Sequence, residues 1–367
     1  MKTTIGFAAL GLAGALMASE PAHAQSKDLT VVSWGGSYTR SQMLAYVKPY
    51  RKESGEWVAM ETYNGGLDEI REQVETANVV WDVVDFELSD LVRGCNEGLL
   101  EKIDHASLPP GADGTPATDD FVPGAFTECG VGQTVWATVV AFNNEGVGGT
   151  APSKLADFFD VKTYPGKRGL RRDPRVIMEW ALLADGVPAD QVYAALATDE
   201  GQERAFAVLD RIKNSIVWWE TGSEPAQLLE SGEVVMTSVW NGRMFGPIAE
   251  DGKPFTIIWD GQIWDIDSWG IPKGTDNMDK AMAFIRFSTG STPLAEQTKY
   301  ISYGPARKSA MAMVADSAKV LLPTAEENMA NALQSDANWW ADNHEALTAK
   351  FEAWLAKGGR GLAGSAR

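Results

Sequence analysis

Between Ser231 and Gly274 the chain gathers Trp240, Arg243, Trp259, Trp264, Asp265, Asp267 and Trp269. No nucleophile or metal cluster accompanies them. These residue types suit the capture of a small charged organic molecule. Aromatic faces attract organic cations through the ring quadrupole. A carboxylate holds an amine, and a guanidinium fork holds a carboxylate. Core packing is the competing reading for each Trp taken singly, because Trp is usually largely buried. Arg243 follows Trp240-Asn241-Gly242 at the end of an expected strand, where the loops of open α/β sheets face their ligands. Asp265 and Asp267 lie two residues apart, so they share a face if the segment is extended.

Composition narrows the classes. The chain has 367 residues, 44% hydrophobic and 22% charged, with a net charge of −18. That is an ordinary globular balance of a length suited to two domains, and the negative charge argues against a nucleic-acid partner. Met1-Lys2, the apolar run Ile5 to Met17 and the Ala22-His23-Ala24 cleavage site read as a secretory signal over residues 1–24. A soluble exported protein, most simply periplasmic, is expected. Cys95 and Cys129 are the two cysteines, and in an oxidising compartment a disulfide between them is expected, two buried thiols being the alternative. His105 and His344 lie far apart and show no metal-ligand spacing; no cofactor is expected.

The elements that must position these residues alternate. Asp28 to Trp34 is a β-type run ending in Gly35-Gly36, followed by an amphipathic stretch from Ser37 to Glu53. Trp57 to Thr62 and Val79 to Phe86 read as strands, with helices over Gly66 to Thr76 and Ser89 to Gly98. Val79 to Phe86 is nearly continuously apolar, as a strand buried on both faces would be. This order argues for a parallel sheet covered by helices. Leu108 to Pro123 reads as loop, Gln133 to Asn143 as a strand able to cross between domains, and Glu233 to Trp240 and Asp267 to Pro272 as further strands. Helices are expected over 175–185, 188–213, 277–289, 293–300 and 325–357. Two α/β lobes, rather than one continuous sheet, would leave a cleft between them, a preferred place for a ligand.

The chain resembles the extracytoplasmic solute-binding proteins of ABC importers, in their spermidine/putrescine-binding branch. The resemblance rests on the order of Leu29 to Trp34 with Tyr38, Trp81-Asp82-Val83-Val84, Glu233 to Met236 before Trp240-Asn241-Gly242, Asp267 to Pro272, and Tyr303-Gly304-Pro305. It implies a two-lobed α/β fold that closes on its ligand by a hinge, with residues 25–138 plus 268–306 as lobe 1 and 139–267 plus 307–367 as lobe 2. It also implies delivery to an inner-membrane permease by a protein expected to be monomeric.

Departures from the polyamine pattern shape the ligand. The first-strand loop, Trp34 to Tyr38, lacks an acidic residue; Arg171-Arg172-Asp173-Pro174-Arg175 stands where relatives offer acids; and Arg243 follows the Trp-Asn-Gly motif. Cations near a cleft repel a polycation. The pattern favours an amine-bearing ligand with an anionic end, such as γ-aminobutyrate, with putrescine or spermidine as the alternative. The binding candidates are Trp34, Tyr38, Phe86, Glu87, Trp136, Arg172, Trp240, Arg243, Trp264, Asp265, Asp267 and Tyr303. Arg243 is assigned to the anion and Asp267 to the ammonium. A solvated basic patch is the competing reading for Arg171 and Arg172, and a helix-terminal carboxylate for Glu87. Familiar hydrolase and phosphate-loop motifs are missing. A hydrolase with paired carboxylates is the rival class, and a chemoreceptor partner is a role compatible with transport.

Overall fold

The computed structural model describes residues 28–357; the signal segment expected over 1–24 lies outside them. Eleven strands form the framework: β1 Leu29–Ser33, β2 Val58–Thr62, β3 Val83–Glu87, β4 Phe126–Thr127, β5 Gly130–Asn143, β6 Arg168–Arg171, β7 Ile216–Trp219, β8 Met236–Trp240, β9 Phe255–Gly270, β10 Gly304–Pro305 and β11 Leu333–Gln334. Their order is β2-β1-β3-β9-β5-β8-β6-β7, with β4 and β10 on β5 and β11 on β9. β1 pairs in parallel with β2 and β3. At the far end β6 pairs in parallel with β7 and β8. Each parallel group is a βαβ set, as the alternating pattern requires.

The hydrogen-bonded ladder is continuous, which corrects the expectation of separate sheets. The reason is the length of β5 and β9. They run antiparallel from Gly130↔Gly270 to Asn143↔Phe255 and pass through both lobes. The short strand expected over 267–272 is the end of β9. The two lobes are told apart by their cores. One packs Leu29, Val31, Val83, Trp269 and Phe284. The other packs Leu170, Trp180, Leu209, Met236, Trp340 and Phe351. Each such side chain contributes about 1.5–3 kcal/mol by leaving water. Ala310, Val314 and Leu322 join the first core. Buried Arg307 pairs with Asp120 at 3.2 Å. The stretch just after residue 306 therefore packs with the first lobe, not the second.

Two irregularities interrupt β5–β9, at Gly132/Thr134 and Thr138/Val140. At the second, Trp259 to Gln262 loop out of β9. Gly261 turns the chain there at φ +72°. The Trp180 indole donates to its carbonyl at 2.9 Å. The Gln262 amide donates to the Pro323 and Asn328 carbonyls. Bulges of this kind bend and twist a strand.

The last helix spans Ala337–Ala356 rather than 325–357. Cys95, at the end of the helix Leu88–Asn96, is joined to Cys129 between β4 and β5. Their Cα atoms are 5.7 Å apart.

Candidate ligand-binding site

Strand register builds the site. On the antiparallel pair β3–β9, Glu87 faces Asp267. On β5–β9, Trp136 faces Asp265 and Thr134 faces Asp267. On β5–β8, Thr138 faces Trp240. Side chains directly opposite one another share a face, as do residues two apart along a strand. Register therefore brings Glu87, Asp265, Asp267 and Trp136 to one row. The same alternation sends Trp264 and Phe86 the other way. Trp264 packs half-buried beside Val139, Val239 and Phe255. Phe86 is wholly buried beneath Gly270. Neither lines the cavity, which corrects both expectations.

Trp34, Tyr38, Glu87, Trp136, Trp240, Arg243, Asp267 and Tyr303 line a narrow pocket of about 210 Å³, open solvent included. It adjoins a second space of about 500 Å³, open solvent included, which shares Glu87, Trp136 and Trp240 and adds Thr138, Arg171, Arg175, Trp219, Ser238 and Asp265. Trp240 is the centre of the aromatic box. Its ring lies 5.8 Å from Trp34, 6.0 Å from Trp136 and 5.6 Å from Trp219, all edge-to-face. Glycine at 222 permits this, since a Cβ there would lie 2.4 Å from the Trp240 ring.

Arg243 spans the lobes. It donates to the Gly35 carbonyl at 2.7 Å and the Trp34 carbonyl at 3.1 Å, and its guanidinium carbon lies 5.4 Å from the Trp240 ring. Gly36 leaves room for it at φ +57°. Among the described residues the Arg243 Nε and the Trp34 and Trp136 indole nitrogens are buried without a hydrogen-bond partner, whereas the Tyr38 hydroxyl lies against the Asp85 and Asp267 carboxyls. Three donors without acceptors around one pocket suit the oxygens of an anion, because unmet buried donors cost about 1–3 kcal/mol each.

The acids divide by partner. Glu87 is saturated, with Arg171 and Arg175 each at 2.7 Å. Arg175 also grips Asp173 at 2.7 Å. Despite the opposing effect of burial, Arg175 holds Asp173 well below the ordinary carboxylate range. Among the described residues Asp265 and Asp267 have no such ion-pair partner. Burial pushes Asp265 up to about 8. Burial, then the charge of Asp85, lifts Asp267 well above its ordinary value.

Arg172 is not in the cavity. It lies on the surface with Glu352 at 2.8 Å and Glu220 at 3.7 Å, so the solvated reading is correct for it. Its neighbour Arg171 lines the cavity, 5.1 Å from the Trp240 ring. Sequence reasoning also missed Arg175, Trp219 and Ser238, whose hydroxyl accepts from the Trp219 indole at 3.1 Å. The available signal was strand period: once Leu170 is placed in the core, Arg171 faces away from it and Arg172 turns back.

A family model described as bacterial extracellular solute-binding protein matches residues 45–324. The chain belongs to this family of solute-binding proteins. The gamma-aminobutyric acid-binding protein of Pseudomonas aeruginosa is 41% identical to it over 351 residues, covering 96% of this chain and 97% of that protein. A solved GABA receptor superposes with a TM-score of 0.78 at 32% identity, covering 90% of this chain and 98% of that one. The binding protein MotA from A. tumefaciens, in complex with glucopine, gives 0.82 at 31%, covering 89% and 99%. A solute-binding protein of this architecture holds a small molecule between two lobes, and the aromatic pocket lies where those lobes meet.

Proposed function

We propose that this solute-binding protein captures γ-aminobutyrate or a similarly short ω-amino acid in the periplasm and delivers it to an ABC permease, acting as a monomer after removal of residues 1–24. The observation that carries the reading is one pocket holding both Arg243, beside unpartnered indole donors, and Asp267, which lacks a cation. Arg243 and the indoles take the carboxylate, Asp267 takes the ammonium, and Trp34, Tyr38, Trp136, Trp240 and Tyr303 wall the aliphatic chain. The identity to a gamma-aminobutyric acid-binding protein supports the same ligand. The reading is one of capture and delivery, without a chemical step.

A second reading has its own support. Asp265 and Asp267 both lack a cation and lie two residues apart on one strand face, which suits a diamine such as putrescine. Calorimetry with γ-aminobutyrate and putrescine separates the two. Tight binding of the amino acid with weak or no binding of the diamine is expected; the reverse order selects the polyamine reading.

A further inference from the structure

Beneath the pocket lies a layer of polar groups that do not line it. Asp85, wholly buried on β3, pairs in register with Trp269, two residues along from the Glu87↔Asp267 pair. Asp85 and Asp267 are therefore diagonal neighbours on one face of β3–β9. The Gln42 amide donates to Asp85 Oδ2 at 2.6 Å and to Gln133 Oε1 at 3.2 Å. Among the described residues Asp85 Oδ1 has no closely aligned partner, and the Tyr38 hydroxyl lies against both Asp85 and Asp267. The Tyr63 hydroxyl donates to the Asp85 backbone carbonyl, not to its carboxyl.

The groups that face this pair are Tyr38, Gln42 and Tyr46 from the helical segment after β1, Glu87 from β3, Gln133 and Thr134 from β5, Asp265 from β9, and Tyr303 and Arg243 from the crossing loops. Arg243 is the one cation among them that acts on Asp85, and it does so through space, because its two bonds go to backbone carbonyls. Among the described residues neither Asp85 nor Asp267 forms an ion pair. Two buried like-charged carboxyls that share no ion pair do not both ionise readily.

We propose that Asp85 and Asp267 form one acid pair that holds a single proton in the absence of ligand, and that an ammonium-bearing ligand binds in exchange for that proton, with Asp85 as the positioning residue. The balance is simple. The protonated pair plus a zwitterionic ligand gives the complex, with the Asp267 carboxylate on the ammonium and Asp85 ionised behind it, and one proton passes to solvent. No bond to carbon forms or breaks. The inference rests on the proposed amine ligand. It adds that the site distinguishes an amine from a neutral isostere partly by whether the guest can replace a proton.

Calorimetry of the intact protein with γ-aminobutyrate, in two buffers of different ionisation enthalpy, reads the exchange directly. With Asp85 held up to about 7 and Asp267 raised well above its ordinary value, net proton release on binding is expected near neutral pH, and affinity should rise with pH by up to about tenfold per pH unit for each proton released. The ligand's own groups, near about 4 and about 10, stay fixed over this range. Asp85→Asn should still bind with a shallower pH slope and a smaller difference between buffers, the remainder coming from the burial of Asp267; a merely structural role for Asp85 would lower affinity and leave both intact. Equal heats in the two buffers with a flat affinity profile overturn the proposal, whether or not the variant folds. If γ-aminobutyrate gives no heat, the proposed ligand fails, and the same buffer pair with putrescine then decides the exchange.

Discussion

Arg243 makes three kinds of contact at once: hydrogen bonds to the opposite lobe, the Trp240 face, and the pocket. Replacing it with Ala should weaken γ-aminobutyrate by about 2–5 kcal/mol, since the ligand carboxylate is left desolvated and unpaired. Putrescine, measured by the same calorimetry, should lose much less; equal losses would mean that Arg243 acts through closure alone. At this scale the sequence exposed the residues that stand alone in type. Arg243 after Trp240-Asn241-Gly242, and Asp265 with Asp267 on one strand face, could be read directly. Adjacent residues of like type were harder. Arg171 and Arg172 differ only in which way a strand end points, and Trp264 sits one residue from Asp265 on the opposite face. Strand alternation settles such pairs only when the strand boundaries are known, and β9 is far longer than its pattern suggested.

Elements in the second lobe meet at a buried acid. Glu179, in the helix Ile177–Ala184, accepts from the Trp340 indole at 2.6 Å and the Tyr193 hydroxyl at 3.1 Å, while its other oxygen has no partner. Burial raises it from 4.5 to about 7. The folded state thus binds its proton more tightly than the unfolded chain. The folded protein loses stability from this group as pH rises from about 4.5 through about 7, by roughly 3 kcal/mol in all. Glu179→Gln should therefore gain about 1–3 kcal/mol in denaturant melts near pH 8 and gain nothing near pH 4. A uniform shift at both values would assign the effect to packing. In the first lobe, the bridge between Cys95 and Cys129 closes a separation of 34 residues. In the chain-entropy account this is worth about 3–4 kcal/mol, so the Cys95→Ala, Cys129→Ala double variant should unfold at lower denaturant by that amount. Element types were legible because the first half follows a regular βαβα order. The bridge was legible from compartment and cysteine count. The extent of β9 was not, because its looped-out residues, Trp259 to Gln262, break the alternation that would have revealed one strand.

For the whole molecule, the aromatic cluster that joins Trp34 and Tyr38 of the first lobe to Trp219 and Trp240 of the second describes a closed cleft. Small-angle scattering should show compaction when γ-aminobutyrate is added to the ligand-free protein, as domain closure requires; superimposable profiles at saturation would indicate a rigid site. The two-lobed architecture was legible from the alternating elements and the resemblance, but its continuous ladder was not, since no local signal reports that two strands pass through both lobes. That ladder bears on whether either half can exist alone. A cut between the lobes severs β5 and β9 in mid-pairing and leaves long, apolar edges of the kind that seed aggregation. Neither half is then an autonomous folding unit. Scanning calorimetry of the intact chain should give one cooperative transition, and a segment comprising β1 to β3 with its helices, expressed separately, should be insoluble. A block exchange of one lobe for another would therefore have to replace or rejoin both long strands in register, since neither ends at the boundary between the lobes.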